Sequence, residues 1–309
     1  MNVLITGGAG FIGSHLCRRL LDEGHFVVCV DNFITGSKSN VKELIYNKNF
    51  KLIEFDISQS LYVKDNLNWV FHFASLASPV HYLNYPIKTL KSGLLGAHNC
   101  LGIAKEKKAK FMLASTSEVY GDPSIHPQPE EYWGNVSCVG PRGCYDESKR
   151  GAEALTYAYM RKHDLDVRVI RIFNTYGPNM MANDGRVVSN FIVQALRGED
   201  ITIYGDGSQS RSFCYVDDLV EGIVKIMSIE YKMPLNLGNS NEFTIKELAE
   251  LVIELTGSKS KVKFFPLPED DPKQRQPDIT KVREKLNWKP KIELRQGLMK
   301  TIEYFKNIV

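Results

Sequence analysis

The chain has 309 residues, of which 43% are hydrophobic and 24% charged, with a formal net charge of +3. This is the composition of a folded globular protein, and its length predicts one large domain with a smaller lobe appended. The charge is too small to signal nucleic acid, and no apolar run approaches the roughly 18–20 residues of a membrane span. The charge is unevenly placed. Residues 259–309 hold thirteen Lys/Arg against seven Asp/Glu, a local +6, which reads either as solvated helical faces or as cations facing an anionic substrate. The six cysteines contain no C-x-x-C pair and read as reduced thiols of an intracellular enzyme. The histidines lack metal-ligand spacing, so no metal is expected. The first strand starts at Asn2, which predicts no signal peptide and a cytoplasmic protein; an anchor upstream in a longer parent protein is left open.

In chain order, Asn2–Thr6 is a short apolar run that ends in Gly7-Gly8-Ala9-Gly10-Phe11-Ile12-Gly13. The G-x-G-x-x-G at 8–13 follows a predicted strand and opens a predicted helix, the context that motif requires. Its glycines permit a tight turn and let the backbone approach a pyrophosphate at the helix N-terminus. Gly7, Gly10, Phe11, Ile12 and Gly13 are therefore candidate cofactor contacts. Leu16, Leu20 and Leu21 give His15–Glu23 a helical face, and Gly24 stops it.

Phe26–Asp31 is the next strand. Asp31 stands 18 residues beyond Gly13, where a carboxylate accepts hydrogen bonds from a ribose and repels a 2′-phosphate. With Asn32 beside it, this predicts NAD over NADP. Phe50–Phe55, Trp69–Phe73, Lys110–Ala114 and Val167–Ile172 read as further strands, with Asp56 and Ile57 placed to meet an adenine and His72 packed near a strand end. Helical patterns cover 88–107 and 146–162. The alternation implies an α/β fold, a Rossmann-type doubly wound parallel sheet whose ligand lies along one edge. After Asn174-Thr-Tyr-Gly-Pro178 the rhythm breaks and prolines accumulate at 266, 268, 272, 277 and 290, marking a smaller mixed α/β lobe. Val216–Met227 is predicted to be a helix packing back on the first domain.

Tyr145 and Lys149 lie four apart in a predicted helix, on one face. A cation beside a phenol favours the phenolate and draws its pKa down from about 10. Such a tyrosine takes a proton from an alcohol while hydride leaves for a nicotinamide. Thr116, after the strand 110–114, adds a hydroxyl at a strand's C-terminal end and completes a Thr/Tyr/Lys arrangement.

With those residues in hand, the chain resembles the extended short-chain dehydrogenase/reductase family, in its nucleotide-sugar epimerase/dehydratase branch. The resemblance rests on T-G-x-x-G-x-x-G at 6–13, S-T-x-E-V-Y-G at 115–121, Y-x-x-x-K at 145–149, R-I-F-N-T-Y-G-P at 171–178, and G-D-G-S-Q-S-R-S-F-C-Y-V-D at 205–217. Within the branch the chain resembles the UDP-glucuronate decarboxylases (UDP-xylose synthases) through S-P-V-H-Y at 78–82, A-S-T-S-E-V-Y-G-D-P at 114–123, H-P-Q-P-E at 126–130, Y-W-G-N at 132–135, G-P-R at 140–142, N-D-G-R-V-V-S-N-F-I at 183–192 and D-D-P-K-Q-R-Q-P-D-I at 270–279. The resemblance implies an NAD-binding Rossmann domain over 1–174 plus about 213–237. A nucleotide-sugar lobe over 175–212 and 238–309 and a homodimer formed through 88–107 and 146–162 are also implied.

The activity implied is oxidation of the sugar at C4 by bound NAD, loss of CO₂ from the 4-keto acid, and hydride return. In that scheme Tyr145 moves the proton, Thr116 orients the hydroxyl and Lys149 supports both. Ser117 and Glu118 act near C5 and the carboxylate, where a 4,6-dehydratase would have Asp-Glu and a 4-epimerase usually lacks the glutamate. Arg275 is implied near the sugar carboxylate or the diphosphate. Lys91, Asn99, Asn174, Arg186, Tyr204 and Arg211 are implied substrate contacts, with Arg211 suited to a diphosphate. Leu76 and Ser148 depart from the family's usual Pro and Gly and bear on how tightly NAD is held. The rival readings are a 4,6-dehydratase or 4-epimerase on the same scaffold, and a non-catalytic NAD-binding regulator, which would have no need of the Thr/Glu/Tyr/Lys set.

Overall fold

The computed structural model of the chain describes residues 1–267 and 274–309; positions 270–273 of the 270–279 string, and the prolines at 268 and 272, lie outside the described residues. Six apolar runs form strands: β1 (Asn2–Thr6), β2 (Phe26–Asp31), β3 (Phe50–Glu54), β4 (Trp69–His72), β5 (Lys110–Thr116) and β6 (Val167–Ile172). All pair in parallel, in the spatial order β3-β2-β1-β4-β5-β6. Their near-continuous hydrophobicity follows from burial on both faces, as in β1, where Val3, Leu4 and Ile5 are fully buried. The order reverses between β1 and β4, and ligands of such sheets bind at that reversal, beyond the strands' C-terminal ends.

The crossovers are α1 (Phe11–Asp22), a short α2 (Lys38–Val41), α3 (Pro79–Asn84), α4 (Pro86–Lys107) and α5 (Gly143–His163). Proline at the first turn starts α3 and α4 without loss of a helical hydrogen bond. Two boundaries shift from the sequence expectation in ways that matter to the site. β5 continues to Thr116 because its ladder with β6 runs on to the pair Thr116–Ile172, so Thr116 is itself the strand's last residue. α5 begins at Gly143, so Tyr145 sits in its first turn.

The remaining strands are β7 (Thr175–Tyr176), β8 (Ile201–Tyr204), β9 (Ser210–Ser212), β10 (Cys214–Tyr215), β11 (Leu235–Leu237), β12 (Glu242–Thr244), β13 (Val262–Phe265) and β14 (Gln274–Arg275). With them come α6 (Val187–Arg197), α7 (Val216–Met227), α8 (Ile245–Thr256), α9 (Thr280–Leu286) and α10 (Leu294–Lys306). β11 returns to pair with β6 as the seventh strand of the main sheet among the described residues. The amphipathic α7 packs on α1, with Leu219, Val220 and Ile223 buried. α8 starts at a capping box in which Thr244 and Glu247 satisfy each other's backbone N–H groups. β12, β9 and β14 form a separate small sheet, with Arg275 paired to Arg211. Among the described residues no helix is long and apolar enough to cross a membrane.

Candidate active site

A cavity of about 750 Å³ runs along the C-terminal edge of the sheet, from Gly7 and Asp31 at one end, past Thr116 and Tyr145, to Tyr204 and Arg211 at the other. Its first end is a backbone cradle. Gly7 turns at φ +71°, and a Cβ there would lie 2.7 Å from the Ala74 nitrogen; a Cβ on Gly13 would stand 2.1 Å from the Gly7 carbonyl oxygen. Only bare backbone lets β1 turn this tightly into α1. The Ala9 and Phe33 N–H groups each donate to one Asp31 carboxylate oxygen at 2.9 Å. Asp31 is buried, and burial raises its pKa against those hydrogen bonds. The fixed carboxylate retains lone pairs for further donors. Gly10, Phe11, Ile12, Asn32 and Ile57 also line this end.

Asp56 does not line the cavity, contrary to expectation. Its carboxylate is taken by Lys88 Nζ and by the Ser58 backbone and hydroxyl, leaving Phe55 and Ile57 as the lining there. Lys91 and Asn99 also lie outside the cavity lining. Lys91 is exposed on α4 and outside the cavity, and Asn99 uses its amide to hold the Ile57 and Gln59 carbonyls at 2.8 Å. Asn99 thus braces the loop after β3 from behind, so its link to the cavity is indirect.

At the centre, β5 delivers Thr116 and α5 delivers Tyr145 and Lys149, all three buried. The Thr116 hydroxyl stands against the Tyr145 phenol and accepts from the Glu118 N–H at 3.3 Å, capping the single 3₁₀ turn Ser117–Tyr120. Lys149 Nζ donates to the Ala114 carbonyl at 2.8 Å and lies 5.8 Å from the Tyr145 ring centre. In the protein alone, burial and not this lysine sets the direction of the phenol's pKa. Burial raises the Tyr145 pKa, the Thr116 hydrogen bond only partly opposing it, and burial lowers Lys149 to about 8. Both groups share one dry pocket, and each charge is penalised there before it can help the other. Ser148 Oγ donates to the Tyr145 carbonyl at 2.7 Å, and the Ser148 Cβ fills the space that a side chain at Gly93 would take, 2.6 Å from the position of its Cβ. Leu76 is buried in the cavity wall.

Beside Thr116 lies a charge cluster. Arg275 Nη1 donates to Glu118 Oε1 at 2.7 Å and to Ser117 Oγ at 3.0 Å, while Nη2 holds the Gly121 carbonyl at 3.0 Å. Arg142 binds the other Glu118 oxygen. Burial pushes the Glu118 pKa upward, but Arg275 and Arg142 outweigh it and hold the carboxyl far below its usual range. Arg275 is only 2% exposed, so it is a buried partner of Glu118 and not a solvated cation. Arg142, in G-P-R at 140–142, and Tyr82, in S-P-V-H-Y at 78–82, are site residues that the sequence reading does not single out. Arg142 sits one helical turn ahead of Tyr145, a usable signal. Tyr82 stacks on Tyr145 with centroids 5.3 Å apart and planes within 7°, a contact that nothing local in the sequence encodes.

Toward the far end, Asn174, Arg186, Tyr204 and Arg211 line the cavity. Arg186 is paired with Asp184 and lies 5.6 Å from the Phe11 ring centre. Arg211 Nη1 donates to the Ser210 carbonyl, and Tyr204 is half exposed against Phe265.

Residues 3–238 match the NAD dependent epimerase/dehydratase family. A UDP-glucuronic acid decarboxylase 1 of Danio rerio is 54% identical over 303 residues, covering 98% of this chain and 72% of its own. Among solved structures, the UDP-glucose 4-epimerase of Thermotoga maritima with UDP-glucose is 32% identical at a TM-score of 0.91, covering 99% of both chains. The UDP-glucuronic acid 4-epimerase of Bacillus cereus with UDP-glucuronic acid and NAD is 27% identical at 0.89, covering both chains fully.

Proposed function

The chain belongs to the NAD dependent epimerase/dehydratase family, and from that premise we propose that it converts UDP-glucuronate to UDP-xylose and CO₂ with NAD as a retained cofactor. The observation that carries the reading is the Arg275–Glu118–Arg142 cluster set beside Thr116 and Tyr145. An oxidation site needs no such cluster; a site that must hold and release a carboxylate does. The sequence relatives support it too, being decarboxylases at 54% identity where the structural neighbours are epimerases at 32% and 27%.

The cradle fits a dinucleotide. Its backbone is bare where a pyrophosphate approaches, and Asp31 retains acceptor capacity for ribose hydroxyls. Gly7, Gly10, Phe11, Ile12, Gly13, Asp31, Asn32 and Ile57 would hold the cofactor, with Tyr145 and Lys149 at its reacting end. When bound, NAD supplies the C4 hydride acceptor and later donor, together with a positive ring charge that favours the phenolate. Tyr145 Oη takes the C4 hydroxyl proton, and Thr116 orients that hydroxyl. The C4 ketone is β to the C6 carboxylate, so the C5–C6 electron pair passes into the carbonyl as CO₂ leaves. Tyr145 and the Lys149 charge stabilise the resulting enolate. Ser117, Glu118 and Arg275 position the carboxylate and the C5 proton, and Tyr145 returns its proton to O4 at the end. Asn174, Arg186, Tyr204 and Arg211 bind the nucleotide sugar, in a lobe comprising 175–212 and 238–309. A homodimer is proposed on the apolar side chains that α4 leaves exposed, Ile87, Leu94 and Leu95.

Incubation of the protein with UDP-glucuronate and NAD, followed by mass spectrometry, tests the reading. The expected product is lighter than substrate by one CO₂. A product of unchanged mass would mean epimerisation and would sink the proposal. For the cradle, Gly13→Ala is expected to weaken NAD binding more than about tenfold in a fluorescence titration, since the new Cβ meets the Gly7 carbonyl; an unaltered affinity would remove the cradle from the cofactor site.

A further inference from the structure

Arg171, the first residue of R-I-F-N-T-Y-G-P, has no part in the reaction as written. It lies on β6, paired in the ladder with Ser115 of β5, and it does not line the cavity. Its guanidinium closes on Glu153 of α5 as a fork. Nε donates to Oε1 at 2.9 Å and Nη2 to Oε2 at 2.7 Å, and Ser115 Oγ adds a donor to Oε1 at 2.6 Å. Both side chains of the pair are 11% exposed. Nη1 turns the other way, to the Tyr120 hydroxyl at 3.0 Å and the Glu130 carbonyl at 2.9 Å.

The helix itself offers Glu153 a different partner. Lys149 precedes it by four residues on the same face of α5, the spacing at which lysine and glutamate pair. Arg19–Glu23, Glu221–Lys225 and Lys246–Glu250 make that contact elsewhere in this protein. Lys149 Nζ reaches instead for the Ala114 carbonyl at 2.8 Å, one residue before Ser115, while the carboxylate turns to Arg171. We propose that Arg171 is a positioning residue: by occupying both oxygens of Glu153, it keeps that carboxylate from drawing Lys149 away from Tyr145 and the cofactor. This rests on the oxidation step of the function proposed above, in which Lys149 serves the reacting end of NAD. A planar fork suits the task, since it fills both carboxylate oxygens at once. The carboxylate in turn seats Arg171, whose other arm holds the segment from Tyr120 to Glu130.

The test compares wild type with Arg171→Met, Arg171→Lys and the double variant Arg171→Met/Glu153→Gln, each assayed below its own Tm. The readouts are NAD affinity, kcat against KM, and the pH at which activity falls on the alkaline side. Tyr145 and Glu153 on α5, His72 on β4 and Arg171 on β6 are the titratable and charged groups around Lys149. Burial lowers the Lys149 pKa to about 8, and its active form is the ammonium, so wild-type activity should fall as pH rises through that value. In Arg171→Met the released carboxylate should capture the ammonium. NAD affinity should then weaken about tenfold and kcat drop by roughly 10²-fold, with KM for UDP-glucuronate changed by less than about threefold. The alkaline fall should move up by about one pH unit, because a lysine paired with a carboxylate keeps its proton longer. Removing the carboxylate as well should bring kcat back to within about fivefold of wild type and reverse the pH shift. Arg171→Lys, with one ammonium against two oxygens, should lie between. If Arg171 only anchors Tyr120 and Glu130, the double variant will be no faster than Arg171→Met and the alkaline fall will stay in place; that result overturns the proposal, as does wild-type kcat in Arg171→Met. If Arg171→Met fails to fold, an alkaline fall in Arg171→Lys at the wild-type pH overturns it equally. If wild type releases no CO₂, the decarboxylase reading fails by itself, and the NAD titration still decides: affinity lost in Arg171→Met and recovered in the double variant upholds the proposal, and equal affinities overturn it.

Discussion

Replacing Tyr145 by phenylalanine is expected to reduce turnover of UDP-glucuronate by about 10³-fold or more while leaving NAD affinity within about twofold. Phenylalanine keeps the ring stacked on Tyr82 at 5.3 Å and removes only the hydroxyl facing Thr116. The variant should therefore retain its fold, and its loss should lie in kcat. No other described group stands in the same place: Lys149 is engaged with the Ala114 carbonyl, and Glu118 is locked between two arginines. Product formation and nicotinamide absorbance, measured with an NAD titration, check the expectation. Turnover at the wild-type rate would take the tyrosine out of the mechanism.

Arg275→Ala carries the second large effect. Removing one member of a buried ion pair costs up to about 3–5 kcal/mol when the other charge is left alone; here Glu118 keeps Arg142, so the loss falls below that bound. The loss reaches Glu118, the Ser117 hydroxyl and the Gly121 carbonyl together, since one guanidinium serves all three. kcat/KM for UDP-glucuronate should fall by roughly 10²–10³-fold, with a lower Tm. Arg275→Lys should recover part of the stability and little of the rate, because an ammonium cannot reproduce the fork. Steady-state kinetics on both variants decide the matter; an unchanged kcat/KM in the alanine variant would return Arg275 to a structural role.

The sheet was legible because its strands are continuous apolar runs, and six of them lie where the runs predict. The glycine cradle and Asp31 were legible for a related reason: local spacing fixes them relative to strand ends. Lys91, Asn99 and Asp56 show where that logic stops. Each lies on an element that borders the cavity, but a helix turns 100° per residue and a loop can face its carboxylate toward a lysine 32 positions away. The direction of the Tyr145 pKa in the protein alone is hidden from sequence for a different reason. Residue spacing reports proximity of the lysine, and it says nothing of desolvation, which is the larger influence on both groups. The union of Glu118 with Arg275 spans 157 positions; the resemblance put both near the sugar carboxylate, and nothing in the sequence paired them.

That span also sets an order of assembly. During synthesis the strands from β1 to β6 emerge with Tyr145, Lys149 and Glu118 already among them, and β11 completes the sheet by residue 237. Arg275 arrives later, carried by two residues of β14 that pair with β9. Until it docks, Glu118 lacks a main counter-charge, so the pocket around Thr116 and Tyr145 forms before the ionic cluster beside it. A ribosome stalled between β11 and β14 would hold the strands of the main sheet with the Glu118 cluster still incomplete.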